Sequence, residues 1–394
     1  MITQDISQRL VVLFAFLVGP VGVLASKGLT VLVVIAGLAG LVRWAEEGFP
    51  RPSRHYPIIG FLIALALWAS VSTVWSVEPG RALVLVARLA AVTVTGAGLL
   101  ITFSRLDPVF RHHAENGLLA GTVAGLVIMI VGFFYAKVTS TSLWGTFFLD
   151  PLTTLNNGAV AISLLACPAM AMAWWRNRTG ALMIAALAYF GFIFLSSGVA
   201  LLAPVFGLIG FGIMWFWGRQ GALALGLVAA ILIIAAPQVV SFSLSNEKVK
   251  EIAVDLPPSA RHRLAMWSFV VEKIDEKPFK GWGMNASRFI PQEDRRLLPN
   301  MEIMPLHPHN AFLQMRLELG VPGAILGAIL VGLFFAGVGR VDDRSAAAVM
   351  AGAGMAYLTV ASLSYGVWQN WWVAFAWALA ALTSLVLKPS SSGG

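Results

Sequence analysis

Charge is scarce in this chain: Asp, Glu, Lys and Arg make up 12% of its 394 residues while 58% are hydrophobic, against about 25% charge in an ordinary soluble domain. That balance excludes a water-soluble globule and predicts an all-α, polytopic integral membrane protein. Cysteine is scarcer still. Cys167 stands alone, so there is neither a disulfide framework nor a thiolate cluster for a metal. No Asp-x-Asp and no His-Glu-x-x-His occurs, and the acid pairs Asp275-Glu276 and Glu293-Asp294 are sequence neighbours that rarely converge on one ion. No metal and no other cofactor is expected. An internal repeat of fixed period is also missing, which counts against a carrier built from two matched halves.

What is present is a series of apolar runs. A hydrocarbon core about 30 Å thick takes roughly 20 apolar residues per helix, and Gly or charged punctuation divides the chain into about twelve runs: 10–25, 28–43, 57–75, 82–102, 117–136, 157–175, 180–196, 198–217, 221–241, 320–339, 345–365 and 371–387. With both termini inside, the inner loops collect Arg9, Arg43, Arg51, Arg54, Arg105, Arg111, Arg176, Arg178, Arg219, Arg340, Arg344 and Lys388. The short outer loops hold little beyond Lys27, Arg81 and Lys137, as the positive-inside rule requires. This asymmetry accounts for most of the formal charge of +8 without a nucleic-acid partner. Leu10 to Ala25 after Arg9 has the outline of a signal peptide, but a second apolar run follows at once, so a retained first helix is expected. The tail Ser390-Ser391-Ser392-Gly393-Gly394 reads as a flexible end. The division is therefore helices 1–9 over 1–241, an outer loop over 242–319, and helices 10–12 with the tail over 320–394.

The outer loop is the one long polar stretch, and it carries three of the six histidines, His262, His307 and His309. Leu256-Pro257-Pro258 breaks the chain, and Ser259 is placed to cap a helix running to about Glu276. Lys277-Pro278 ends it. Phe279 to Gly283 forms a Gly-bounded turn, four prolines keep the next thirty residues mostly irregular, and Asn310 caps a second helix, Ala311 to Leu319, that stops at Gly320.

Three segments here carry a family resemblance: Arg263-Leu264-Ala265-Met266-Trp267, Lys277-Pro278-Phe279-Lys280-Gly281-Trp282-Gly283, and His307-Pro308-His309-Asn310 with Leu313-Gln314 and Glu318-Leu319-Gly320. In order, spacing and placement outside the membrane they resemble the O-antigen ligase and O-antigen polymerase family of bacterial polysaccharide assembly. Weaker echoes lie in Trp75-Ser76-Val77-Glu78-Pro79, in Gly145-Thr146-Phe147 and in Asn156-Asn157. One departure stands out: many members carry an Arg after a Ser at the outer end of the seventh span, where this chain reads Ser196-Ser197-Gly198-Val199.

The resemblance implies a glycosyltransferase of the membrane-embedded C type in a bacterial inner membrane, its active site facing the periplasm. It implies a donor glycan on undecaprenyl pyrophosphate and an acceptor hydroxyl on a lipid A core sugar or, in the polymerase branch, on a growing glycan. The His-Pro-His-Asn form with a moderate loop favours the ligase branch. Rival classes are a polytopic lipid or solute transporter and a structural assembly subunit.

A departing lipid pyrophosphate needs guanidinium partners. Arg263 matches the family's Arg four residues before a Trp, here Trp267, and Arg261 points about 200° away from it on a helix, so one of the two faces the cavity; the alternative is that either reaches lipid phosphates. Arg88 lies two turns from Arg81 on one helical face, at a depth where an Arg normally faces a wet interior. For the base, the family places its His directly before Asn, which selects His309; the plainer role is organising the next helix. His307, Asn310, Gln314, Glu318 and Trp267 are supporting residues, and His55, His112 and His113 fall on inner loops. The helix after His309 is expected to rest on the membrane face, and Tyr365, Trp368, Gln369, Asn370, Trp371 and Trp372 read as an interfacial aromatic anchor.

Overall fold

Apolar segments in a bilayer satisfy their backbone groups internally by becoming helices, and the computed structural model consists almost wholly of them. It describes residues 2–46, 56–139, 151–195, 197–247, 251–252, 255–256, 258–292, 296–298 and 301–387. The helices are α1 (Ile2–Leu24), α2 (Leu29–Glu46), α3 (Tyr56–Ser72), α4 (Pro79–Ser104), α5 (Pro108–Thr139), α6 (Pro151–Arg176), α7 (Arg178–Phe194), α8 (Gly198–Ile234), α9 (Ala236–Ser245), α10 (Pro258–Glu276), α11 (Ala311–Val338), α12 (Arg344–Leu363) and α13 (Asn370–Thr383). Two short strands, β1 (Arg296–Leu298) and β2 (Met301–Glu302), pair antiparallel. Among the described residues, nine helices are long and apolar enough to cross a membrane, and Arg178–Phe194 and Asn370–Val386 are shorter apolar helices. Leu13, Ile35, Val71, Ile209 and Leu227 point outward and are exposed, a surface that suits lipid and not water.

Each of the twelve expected runs falls on a helix, with three differences at the edges. The eighth and ninth runs are one continuous helix, α8, bent at Gly218 (φ 54, ψ −133). The ninth run ends at Ala235, because Pro237 opens the separate helix α9. The outer helix 311–319 continues past Gly320 (φ 65, ψ −156) into the tenth run as α11. Helix α10 begins at Pro258, so Ser259 sits in its first turn and does not cap it; proline at the first helical position needs no N–H partner. Arg51, Arg54, His55, Gly145-Thr146-Phe147, Ser196, Pro257, Glu293-Asp294, Pro299, Lys388 and the Ser390 to Gly394 tail lie outside the described residues.

Small residues let the helices approach closely. A Cβ at Gly19 of α1 would lie 2.1 Å from the Gly121 carbonyl oxygen of α5, and one at Gly37 of α2 would lie 1.9 Å from that of Thr95 in α4. Such contacts replace the hydrophobic driving force that lipid does not supply. Helix α6 runs through the centre, with Ala159, Ile162, Leu164 and Leu165 fully buried. One end of the bundle is closed by polar clasps: Gln8 to Asp107 at 2.7 Å, Arg176 to Glu115 at 2.6 Å, and Arg111 to the Leu385 carbonyl at 2.6 Å. His112 joins Arg176 there. At the other end meet the close of α3, the start of α6, the α12–α13 connection and the outer segment. That segment has its own small core, in which Met266, Phe269, Val270 and Ile274 of α10 meet Leu313 and Leu317 of α11.

Candidate functional site

The break at Gly320 is the keystone of this end. Leaving the helix there exposes the carbonyls of the preceding turn, and each finds a donor: Leu317 O accepts from Trp282 N (2.9 Å), Glu318 O from Gly283 N (2.8 Å) and Leu319 O from the Trp68 indole (2.8 Å). Val321 N donates back to Phe279 O at 3.0 Å. The two chain segments touch backbone to backbone, since a Cβ at Gly320 would stand 2.0 Å from Phe279 O and one at Gly281 would stand 2.5 Å from Glu318 O. With positive φ at both, only glycine fits. The motifs Lys277 to Gly283 and Glu318 to Gly320 are thus two halves of one interlock.

Glu318 ties this interlock to everything around it. It is fully buried. Its carboxylate accepts from Asn285 N (2.6 Å), Ser287 N (3.3 Å), Ser287 Oγ, Gln314 Nε2 (2.9 Å) and the Trp368 indole (2.9 Å). Gln314 extends the network by accepting from Val367 N at 2.9 Å. Ser76, from the weaker motif at the top of α3, donates to Met284 O at 2.7 Å, while Met284 N donates to Ser72 Oγ at 3.1 Å. A carboxylate so fully engaged organises the loops and has no lone pair left for substrate.

His309 stands at the mouth of this scaffold with φ 53, a left-handed conformation that is uncommon for non-glycine residues and is found where surrounding structure enforces it. Three contacts enforce it. Trp267 donates to Pro308 O at 2.8 Å, His309 N donates to His307 Nδ1 at 3.2 Å, and the His309 ring meets the Ser364 carbonyl through Nδ1. A carbonyl only accepts, so Nδ1 carries the proton and Nε2 keeps its lone pair. Burial lowers the His309 pKa, the Ser364 contact opposes that, and Arg263 and His262 lower it further.

His307 is buried, its ring 4.4 Å from that of His309, and its Nε2 lies 3.0 Å from the Gln369 amide. Burial first, then His309 and Arg288, push its pKa down to about 3. It is therefore a neutral acceptor that fixes the His309 backbone.

Arg263 is half-buried and close enough to Tyr365 and His309 to bear on their charge, and Arg261, on the other side of α10, is exposed, so the two divide as their angular separation requires. Among the described residues no acidic side chain pairs with either. His262 Nε2 lies 3.1 Å from Ile303 O and supports the loop. Arg88 is exposed together with Arg81. Residues four, seven and eleven positions on from Arg88 share its helical face, and these are Val92, Thr95 and Leu99, all buried. The face that packs into the bundle lower down is therefore open at Arg88. No described contact joins Arg88 to the histidine pair. Asn310 caps α11, accepting from Phe312 N and Leu313 N at 3.0 Å each.

Two expectations are corrected. The helix 311–319 does not rest on a membrane face: Ala311, Leu313, Gln314, Met315, Leu317, Glu318 and Leu319 are all buried, because α10 and the α12–α13 connection cover it on both sides. The aromatic cluster is not a lipid anchor either. Trp372 is 1% and Trp371 9% exposed; Tyr357 stacks on Trp372 at 4.4 Å, and Tyr365 donates to Asn157 at 2.9 Å. This connection supplies Ser364, Tyr365, Trp368 and Gln369 to the site. Only the polar Gln369-Asn370 pair among the aromatics hinted at it, and a backbone carbonyl such as that of Ser364 leaves no sequence signal. Arg288 was likewise missed. Among the described residues no three His, Cys, Asp or Glu side chains converge as metal ligands.

Comparison with known proteins bears on this arrangement. The family model described as O-Antigen ligase matches residues 181–328, which run from α7 through α10 and the loop into α11. A protein of Rickettsia conorii named "Putative polysaccharide ligase" is 24% identical over 420 residues, covering 97% of this chain and 98% of its own length. One of the same description from Rickettsia typhi is 23% identical with the same coverage, and one from Rickettsia bellii is 25% identical over 83% of this chain and 80% of its own.

Proposed function

Proceeding from an O-antigen ligase family, which the matched model and the nearly full-length relatives support, we propose that this chain transfers a glycan from undecaprenyl pyrophosphate to a sugar hydroxyl of a lipid A core. The reaction takes place at the periplasmic face of a bacterial inner membrane. The observation that carries the reading is His309, held left-handed with Nδ1 committed to Ser364 and Nε2 free, beside the acid-unpaired Arg263. Nε2 takes the acceptor proton as the hydroxyl oxygen attacks the anomeric carbon. The bond from that carbon to the pyrophosphate oxygen breaks, its electron pair leaves with the phosphate, and Arg263 stabilises the charge. A single displacement inverts the anomeric centre. The asymmetry of the loop charges supports the outward face.

The test is transfer by purified protein from an undecaprenyl pyrophosphate glycan to a lipid A core acceptor with EDTA present. Ligated product of inverted configuration is expected. Lengthening of the donor glycan with a bare core would replace the ligase reading with a polymerase, and a retained linkage would sink the single displacement.

The pH profile gives a second check. A base whose pKa lies below the ordinary value of about 6.5 stays unprotonated at neutrality, so kcat/KM should be flat through neutral pH and fall only on the acid side of that value. Arg263→Gln removes a neighbouring cation, which favours imidazolium and raises the His309 pKa. Its acid limb should move to higher pH in addition to the drop in rate. An unmoved limb would separate Arg263 from His309.

A further inference from the structure

A pyrophosphate carries charge on two phosphoryl groups, and one guanidinium answers only part of it. The residues that close the outer loop around Glu318 present more. The turn Ser287–Phe289 is held rigidly: Ser287 is bonded to Glu318 through both N and Oγ, and the Phe289 ring lies 5.1 Å beneath the guanidinium of Arg81. Between these fixed neighbours Arg288 projects outward and is exposed. No acidic side chain pairs with it among the described residues, and Arg81 has only the exposed Glu78 at 4.0 Å. The turn reaches the histidine pair through Ser287, Glu318 and Gln314 to Val367 N, next to Gly366, where a Cβ would lie 2.9 Å from the His307 ring, and Arg288 lowers the pKa of His307 as Arg263 lowers that of His309.

We propose that Arg288, with Arg81 behind it, forms a second phosphoryl subsite on the His307 side of the histidine pair, contacting the second phosphate of a lipid pyrophosphate. The inference rests on the transferase reading above. Arg263 holds the phosphate whose oxygen leaves the sugar, and Arg288 holds the one bearing the lipid. A rigid turn costs little ordering when the ligand binds, and a planar fork suits bidentate contact to phosphoryl oxygens.

The experiment compares undecaprenyl pyrophosphate with undecaprenyl monophosphate as inhibitors of transfer by full-length protein in detergent micelles. Wild type should prefer the pyrophosphate by about tenfold or more, the scale of one lost charge-assisted contact. Arg288→Gln should bring that preference close to one and raise donor KM about tenfold, leaving acceptor KM and the melting temperature unchanged. Arg288→Lys should recover part of the loss. Arg263→Gln should weaken both inhibitors together. An Arg288→Gln enzyme that keeps the wild-type preference, or one that loses acceptor affinity alone, overturns the subsite while transfer itself stands. Wild type that transfers without preferring the pyrophosphate overturns it too, and wild type that neither transfers nor is inhibited overturns the transferase reading beneath it.

Discussion

His309→Ala is expected to lower kcat by about two to four orders of magnitude, the range over which a positioned general base contributes, with little change in melting temperature. The expectation depends on what His309 does not do. Asn310 caps α11 with its own side chain, and the scaffold beneath is held by Glu318, Gln314 and the Gly320 interlock, so removal of the imidazole leaves the helix start intact. What is lost is Nε2, the one ring nitrogen of the histidine pair with no described partner. His307→Ala should cost less in rate and more in order, because His307 Nδ1 accepts the His309 N–H and its loss frees a backbone that is otherwise held at φ 53. Steady-state transfer and a detergent melt on both variants decide this. A folded His309→Ala enzyme with near wild-type kcat would reduce His309 to a structural residue and move the base elsewhere.

The largest effect on folding is expected at Glu318. Replacement by Ala strands five donors that now meet one buried carboxylate: two backbone N–H groups, a hydroxyl, an amide and an indole. A buried donor left unsatisfied costs about 1–3 kcal/mol, and the whole stability of a domain is only about 5–15 kcal/mol. Glu318→Ala should therefore fail to accumulate as folded protein, or melt well below wild type. Glu318→Gln keeps the shape but offers one acceptor oxygen where two are used, and should fall between. The readout is monodisperse protein recovered in detergent together with its melting temperature. Wild-type recovery and melting of the Ala variant would mean that the outer loop is not anchored through this carboxylate.

These two residues also show what was legible before any coordinates. The membrane class and the approximate helix positions are local properties: an apolar run long enough for a bilayer becomes a helix whatever its neighbours are. Asn310 as a cap and Gly320 as the point where the helix breaks are equally local, being set by side-chain reach and backbone permissiveness. The role of Glu318 was not legible, because its five donors come from three segments up to 50 residues away. Nor was the burial of Trp371 and Trp372, since an aromatic cluster at a helix end has the same composition whether it faces lipid or a neighbouring helix.

The sequence by itself determined that this chain is an all-α polytopic membrane protein and approximately where its apolar helices lie. Tertiary structure alone decided that the α12–α13 connection folds over the outer segment. That contact sets the tautomer of His309 through the Ser364 carbonyl and saturates Glu318 through Trp368. Both are long-range hydrogen bonds whose formation depends on how helices distant in sequence pack, which no spacing of residues along the chain encodes.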